Sequence, residues 1–343
     1  MYRTRSAASA IVLALLVAGC GGGGGGGGGS GTVVAPTPSP STGTPSPSPS
    51  TPAPSPSSPL PTTWAGVAGY YDVQPDIGGC RAGTLKQAVK TEFLARLNEI
   101  RARHGLAPVV YSTDEDVQQA ESSLMMAANV ALSHTPPSSW RCYTAGGSAA
   151  AGASNLIGGW GTGLGFDSED GLLAGWLREG GTAQLGHRRW ILHPFLRQTS
   201  YGRVSGTLPD GRRATTASMR VFSFAGAGPA PSTVPPFVGF PQGDYPARYF
   251  ALSDYLSFSV VPSTTNNGAD RSVDFSAATV SVRGPSGDLP VTDITRDNDG
   301  YGIANNIQWR VTGLATNTGY TVTIAGVRGA PQASYSYNFR ILP

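Results

Sequence analysis

Hydrophobic residues at Leu85, Val89, Phe93, Leu97 and Ile100 recur every three to four positions, and Gly105 follows the last basic turn. This predicts one amphipathic helix from Leu85 to His104. Ser112-Thr113-Asp114-Glu115 supplies cap residues and first-turn acidic charge for a second helix, with a stripe through Val117, Ala120, Leu124, Ala127 or Ala128, and Ala131. It is expected to end at the Ser133-His134 step, just ahead of Pro136-Pro137. From Pro136 to about Asp167 the chain is rich in Gly, Ser and Ala with Trp140, Trp160 and Phe166 interspersed, which reads as an irregular excursion pinned by a few aromatics. Ser168 can cap a shorter helix in which Leu172, Leu173, Trp176 and Leu177 share a face, and His187 to Leu192 reads as a further turn ending at His193-Pro194. Arg203 to Thr207 and Ala217 to Phe224 flank Pro209-Asp210-Gly211, a hairpin signal.

Near residue 230 the period changes from helical to two. Leu256–Val260, Thr279–Val282, Ile307–Val311, Tyr320–Ile324 and Tyr335–Phe339 alternate, with Gly, Pro, Asn and Asp clusters between them. Short strands without a helical run predict a small antiparallel sandwich of immunoglobulin type with Trp309 in its core. This part holds no His, no paired carboxylate cluster and no glycine phosphate loop, so packing or binding is its expected role.

At the other end, Arg3 and Arg5 precede the apolar run Ala10 to Ala18, the layout of a secretory signal peptide too short to span a bilayer as a mature helix. Val17-Ala18-Gly19-Cys20 resembles a bacterial lipobox, which implies cleavage before Cys20 and lipid on its thiol; the alternative is an ordinary signal peptide with a chance Cys. Gly21 to Gly29 is unbroken glycine, and Ser30 to about Thr63 repeats Ser-Pro and Thr-Pro steps. Neither part can bury apolar surface, so a flexible root should lead into a stiffer polyproline spacer, reaching roughly 100 Å at ~3 Å per residue. The expected organisation is therefore signal peptide 1–20, tether 21–63, a mixed helix-and-strand domain 64–230 and a sandwich 231–343. An exported protein, lipid-anchored to a bacterial membrane and displayed at the outer membrane or cell surface, follows from this address.

Charge narrows the partners. The formal net charge of +3 includes Arg3 and Arg5, so the processed chain stands at +1, and no basic patch asks for nucleic acid. Of three cysteines, lipidation of Cys20 leaves Cys80 and Cys142 in an oxidising setting, where a disulfide is the economical reading and two unpaired thiols the alternative. Such a bridge would close a loop of about 60 residues and contribute roughly 4 kcal/mol in the loop-entropy model.

Imidazole and carboxylate are the groups that bind metals or move protons near neutral pH. Among only four histidines, His134 and His187 stand in stretches with chemical character, the second close to Trp176-x-x-Glu179. His104 and His193 read as helix-end residues, His104 as a charge partner for the helix C-terminus; Trp176 and Trp190 read as core, and Arg188 and Arg189 as solvent-facing or locally paired.

The order of these motifs resembles the CAP superfamily, which groups cysteine-rich secretory proteins, antigen 5 and pathogenesis-related 1 proteins. Asn98-x-x-Arg101-x-x-His104-Gly105-Leu106 is similar to the opening helix of bacterial members, and Gly186-His187-Arg188-x-x-Ile191-Leu192 to their second histidine motif; the resemblance covers about residues 84 to 224. It implies an α+β chain, an α-β-α sandwich followed here by the β-sandwich, with a cleft holding two histidines and, in many members, two acids. Carried over, the histidines are His134 and His187 and the second acid Glu179, with Ser154 and Asn155 in the same cleft. Ser154 stands where the family's Gly-Glu-Asn-Ile type motif has its glutamate, in Gly152-Ala153-Ser154-Asn155-Leu156, so one carboxylate is absent.

The resemblance implies Zn²⁺ or another divalent metal at His134 and His187, in a cleft binding a metal or small ligand for a surface-displayed module that also meets another envelope component. The alternative is a metal-assisted hydrolase acting on cell-wall or peptide substrates, with Glu179 and His187 as catalytic candidates. Ser154, Glu179 and His187 are also triad residue types, but Gly152-Ala153-Ser154-Asn155 is no nucleophile elbow.

Overall fold

Alternation along two strands sets the layering of the N-terminal half in the computed structural model, which describes residues 60–179, 184–224 and 230–343. The expected signal peptide, Cys20 and nearly all of the tether lie outside the described residues. Helix α1 (Gln87–Arg103) and α2 (Asp116–Asn129) are followed by α3 (Ala145–Gly152), strand β1 (Ser154–Gly161), α4 (Glu169–Arg178), α5 (Gly186–Ile191), and strands β2 (Tyr201–Thr207) and β3 (Arg213–Arg220). The three strands form an antiparallel sheet in the order β1-β3-β2.

Successive residues of a strand face opposite ways. In β2 and β3, Tyr201, Ala217 and Met219 join the core with Phe93 and Leu97 of α1 and Leu173 and Trp176 of α4. Val204 and Ala214 pack instead with Leu124 and Ala127 of α2. Helices on both faces of the sheet make the α-β-α sandwich. Phe93 stacks on Tyr201 with ring centroids 3.9 Å apart, and Arg203 reaches Glu169 through a buried two-pronged ion pair of 3.0 and 3.1 Å. The bridge Cys80–Cys142 is formed, Cα atoms 5.1 Å apart, and ties the segment after α2 to the start of the domain.

Several elements depart from the sequence pattern. Leu85 lies in a two-residue strand, and α1 begins at Gln87. Helix α2 stops at Asn129, because Val130 turns left-handed (φ 50°) and the Asn129 amide donates to Met125 O and Arg141 O. Val117, counted in the apolar stripe, is exposed. The stretch expected to be irregular after Pro136 contains both α3 and β1. Thr144 caps α3 by accepting from Gly147 N at 2.9 Å, and Ala-Ala-Ala carries the helix.

The second half is a two-layer sandwich. Strands β4 (Phe237–Phe240), β5 (Gly243–Pro246), β6 (Leu256–Val260), β7 (Thr279–Gly284), β8 (Gly287–Leu289), β9 (Val291–Asp297), β10 (Asn306–Val311), β11 (Gly319–Ala325) and β12 (Ser334–Leu342) form sheets ordered β9-β10-β6-β4 and β8-β7-β11-β12-β5. Only β12 with β5 pairs parallel among these described strands. Tyr335, Tyr337, Phe339 and Ile341 alternate inward along β12, and Trp309 is fully buried, as its pattern required. Strands β4, β5 and β8 are only three or four residues long, and the longer β9 shows no period-two burial, so these four were not legible in the sequence.

The two halves share one continuous core. His104, expected to be a charged helix partner, is buried between them: its Nδ1 donates to Gly239 O at 2.9 Å and its Nε2 accepts from Tyr245 OH at 3.2 Å. Burial, helped by the nearby Arg188, Arg101 and Arg103 charges, pushes its pKa down to about 3, so the ring is neutral. Arg188 and Arg189 are also buried, contrary to their solvent-facing expectation. Arg188 lies 3.8 Å over the Phe240 ring and donates to Tyr255 O and Ser257 Oγ, while Arg189 donates to Ile303 O and Ala304 O. Carbonyls from the sandwich, invisible in local sequence, are what accept them.

Candidate functional site

His134 reaches its position because α2 ends early. Beyond the left-handed Val130 the chain leaves the helix axis, and His134 Nδ1 lies 2.8 Å from Ala151 O at the end of α3. A carbonyl can only accept, so Nδ1 carries the hydrogen and Nε2 keeps its lone pair.

His187 is held in an analogous way from the other side. Glu179 leaves α4 in a left-handed conformation (φ 42°), which turns its carboxylate toward the first turn of α5. Glu179 Oε1 accepts from His187 N at 3.1 Å and Oε2 from Arg188 N at 3.2 Å, satisfying amides that the helix itself leaves open. The same Oε1 is 3.0 Å from His187 Nδ1, so this imidazole also donates through Nδ1 and leaves Nε2 free. A ring nitrogen tied to a carboxylate or carbonyl, with the other nitrogen free, is the pattern of a metal-binding histidine.

Both imidazoles line one cleft of about 520 Å³ together with Ser154, Asn155, Glu179, Gln184 and Trp190. Asn155 Nδ2 donates to His187 O at 3.0 Å and steadies the α5 end of it. Ser154 is buried, and its hydroxyl donates to Gln119 Oε1 at 3.0 Å rather than to an imidazole, so it is not arranged as a nucleophile. Glu179 has both oxygens turned to α5 and His187, the geometry of an orienting group. Among the described residues no cluster of three or more His, Cys, Asp or Glu is placed to hold a metal ion. Imidazole nitrogen is a donor type that zinc accepts, and the cleft offers it from His134 and His187.

One reading of a residue role changes here. Trp176 is fully buried core, whereas Trp190, also expected in the core, is half-buried and lines the cleft. His193 is buried and neutral: its Nδ1 accepts from Phe195 N at 3.1 Å, and burial, then the Arg101 charge, lower its pKa to about 3. The sequence reading missed Phe222, Gly300 and Tyr301 in the cleft wall; the last two come from the sandwich, and no local signal connects them to His187.

Residues 94–210 match the model of the Cysteine-rich secretory protein family, CAP, and the chain carries a CAP domain. No curated protein matches the chain. Solved structures similar to it include an outer surface protein from Borrelia burgdorferi, at 11% identity and TM-score 0.25, covering 39% of this chain and 92% of that one. Another is NaASP2 with Zn²⁺, at 11% identity and TM-score 0.27, covering 46% of this chain and 88% of that one.

Proposed function

We propose that this CAP-domain protein is exported, anchored through lipid on Cys20, and displays a cleft that binds a divalent metal, with zinc or copper as the chemistry, through His134 and His187. The observation that supports this most is the matched engagement of the two Nδ1 atoms, by Ala151 O and by Glu179 Oε1, which leaves two Nε2 lone pairs in one cleft. With Ser154 in place of a second acid and Glu179 already engaged, the site lacks a free carboxylate for acid–base work, which favours a binding module over a hydrolase. Two ligands alone predict weak binding.

Titration calorimetry with zinc tests it. His134→Ala and His187→Ala are each expected to abolish binding, and equal affinity in wild type and both variants would mean that the histidines serve the fold alone. The anchor is tested separately by fractionation. Cys20→Ala should release the protein from the detergent-extracted membrane fraction, and a variant that is processed and retained in membranes as before would remove the lipid from this reading. No described helix is long and apolar enough to cross a membrane.

A further inference from the structure

The CAP domain does not close its cleft alone. Between β9 and β10 the sandwich extends Gly300-Tyr301-Gly302, in which both glycines are left-handed (φ 85° and 63°). A Cβ on Gly302 would lie 2.4 Å from the carbonyl carbon of Arg189, so only glycine lets the loop pass this close over α5. Arg189 clamps the loop on both sides, pairing with Asp297 at 2.8 Å and donating to Ala304 O at 2.7 Å. Tyr301 is thereby laid over Gly186, the residue before His187, where an added Cβ would come 3.5 Å from the Tyr301 Cβ.

Although its backbone is fixed, the Tyr301 side chain stays 44% exposed in the cleft, as does Phe222 at 45%. Trp190 lies 4.7 Å from Phe222 between ring centroids. Aromatic faces kept in water beside polar groups mark a binding surface. The described lining contains no Lys or Arg side chain, and its polar side chains other than the engaged Glu179 are imidazole, hydroxyl, amide and indole. Aromatic faces next to hydrogen-bonding side chains, in a volume suited to a small ligand, match a ring with an apolar face and a hydroxylated edge.

We propose that the cleft is a saccharide site, in which a neutral pyranose ring packs on Trp190, Phe222 and Tyr301 with its hydroxyls toward the two imidazoles and Gln184. The β-sandwich is then the wall that sets specificity. This rests on the reading of the two-histidine cleft as the binding site and adds the ligand class and the role of the second domain.

The test titrates the full chain with chitotetraose and, in parallel, with zinc alone. Wild type should bind the tetrasaccharide saturably, and Tyr301→Ala, an exposed position that leaves the core intact, should weaken it about five- to tenfold while zinc affinity stays within about twofold. Phe222→Ala should behave the same way. Wild type that binds zinc but not chitotetraose overturns the saccharide and leaves the metal reading standing. Saccharide binding unchanged in Tyr301→Ala overturns the role of the sandwich, and saccharide binding that depends on Tyr301 without any zinc binding supports this proposal while removing the metal.

Discussion

With its two oxygens Glu179 accepts from His187 N, from Arg188 N and from the His187 ring. The first two cap α5, and the third fixes the tautomer and raises the electron density of the imidazole. A carboxylate in this place strengthens a metal–histidine bond typically by 10–100-fold. Glu179→Gln keeps the size and one acceptor but removes the charge and sets an amide NH₂ against backbone donors. Zinc affinity is expected to fall at least tenfold by calorimetry, with about 1 kcal/mol of stability lost in urea from the weakened helix cap. A variant that loses the stability but binds zinc as wild type does would show that Glu179 serves the helix only.

At the scale of elements, α5 is the junction of the molecule. With about 100° between successive residues, its six residues face different neighbours: His187 the cleft, Arg188 and Arg189 the sandwich, Ile191 the core. Arg101 of α1 closes its far end, donating to Ile191 O at 2.7 Å and His193 O at 3.0 Å. Helices α1 and α4 were legible in the sequence because Phe93, Leu97, Leu173 and Trp176 keep a helical period, and β10 to β12 because Trp309, Val322 and Phe339 alternate. Helix α3 and β1 were not, since Ala and Gly carry no amphipathic signal. Arg188 and Arg189 look like solvent charges until the fold brings sandwich carbonyls to them. The pairing of His134 with His187 came only through the resemblance, and Tyr301 could not be foreseen, because a loop of Asp, Asn and Gly residues reads as a turn wherever it lands.

For the whole molecule, the two buried histidines couple assembly to pH. His104 bonds Gly239 and Tyr245 across the shared core, His193 lies where α5 turns into the sheet, and each has its pKa pushed down to about 3. In the unfolded chain both return to about 6.5. Between these values the unfolded state binds protons that the native state refuses, so stability is full above about pH 6.5 and falls as pH drops toward 3, by about 1.4 kcal/mol per pH unit for each histidine. Asp270 works in the opposite sense, because burial raises its pKa and the native state gains that proton first. Two histidines outweigh one carboxyl, so acid should unfold the protein from both halves at once, against a typical domain stability of about 5–15 kcal/mol. Urea unfolding followed by tryptophan fluorescence should give a midpoint that is flat from pH 8 to 7 and declines steadily from pH 6 to 4. The double variant His104→Gln with His193→Gln starts lower at pH 7 but should lose much less over the same range. A wild-type midpoint equal at pH 7 and pH 4.5, or a double variant with an undiminished slope, would mean that neither histidine is kept neutral by the joined core.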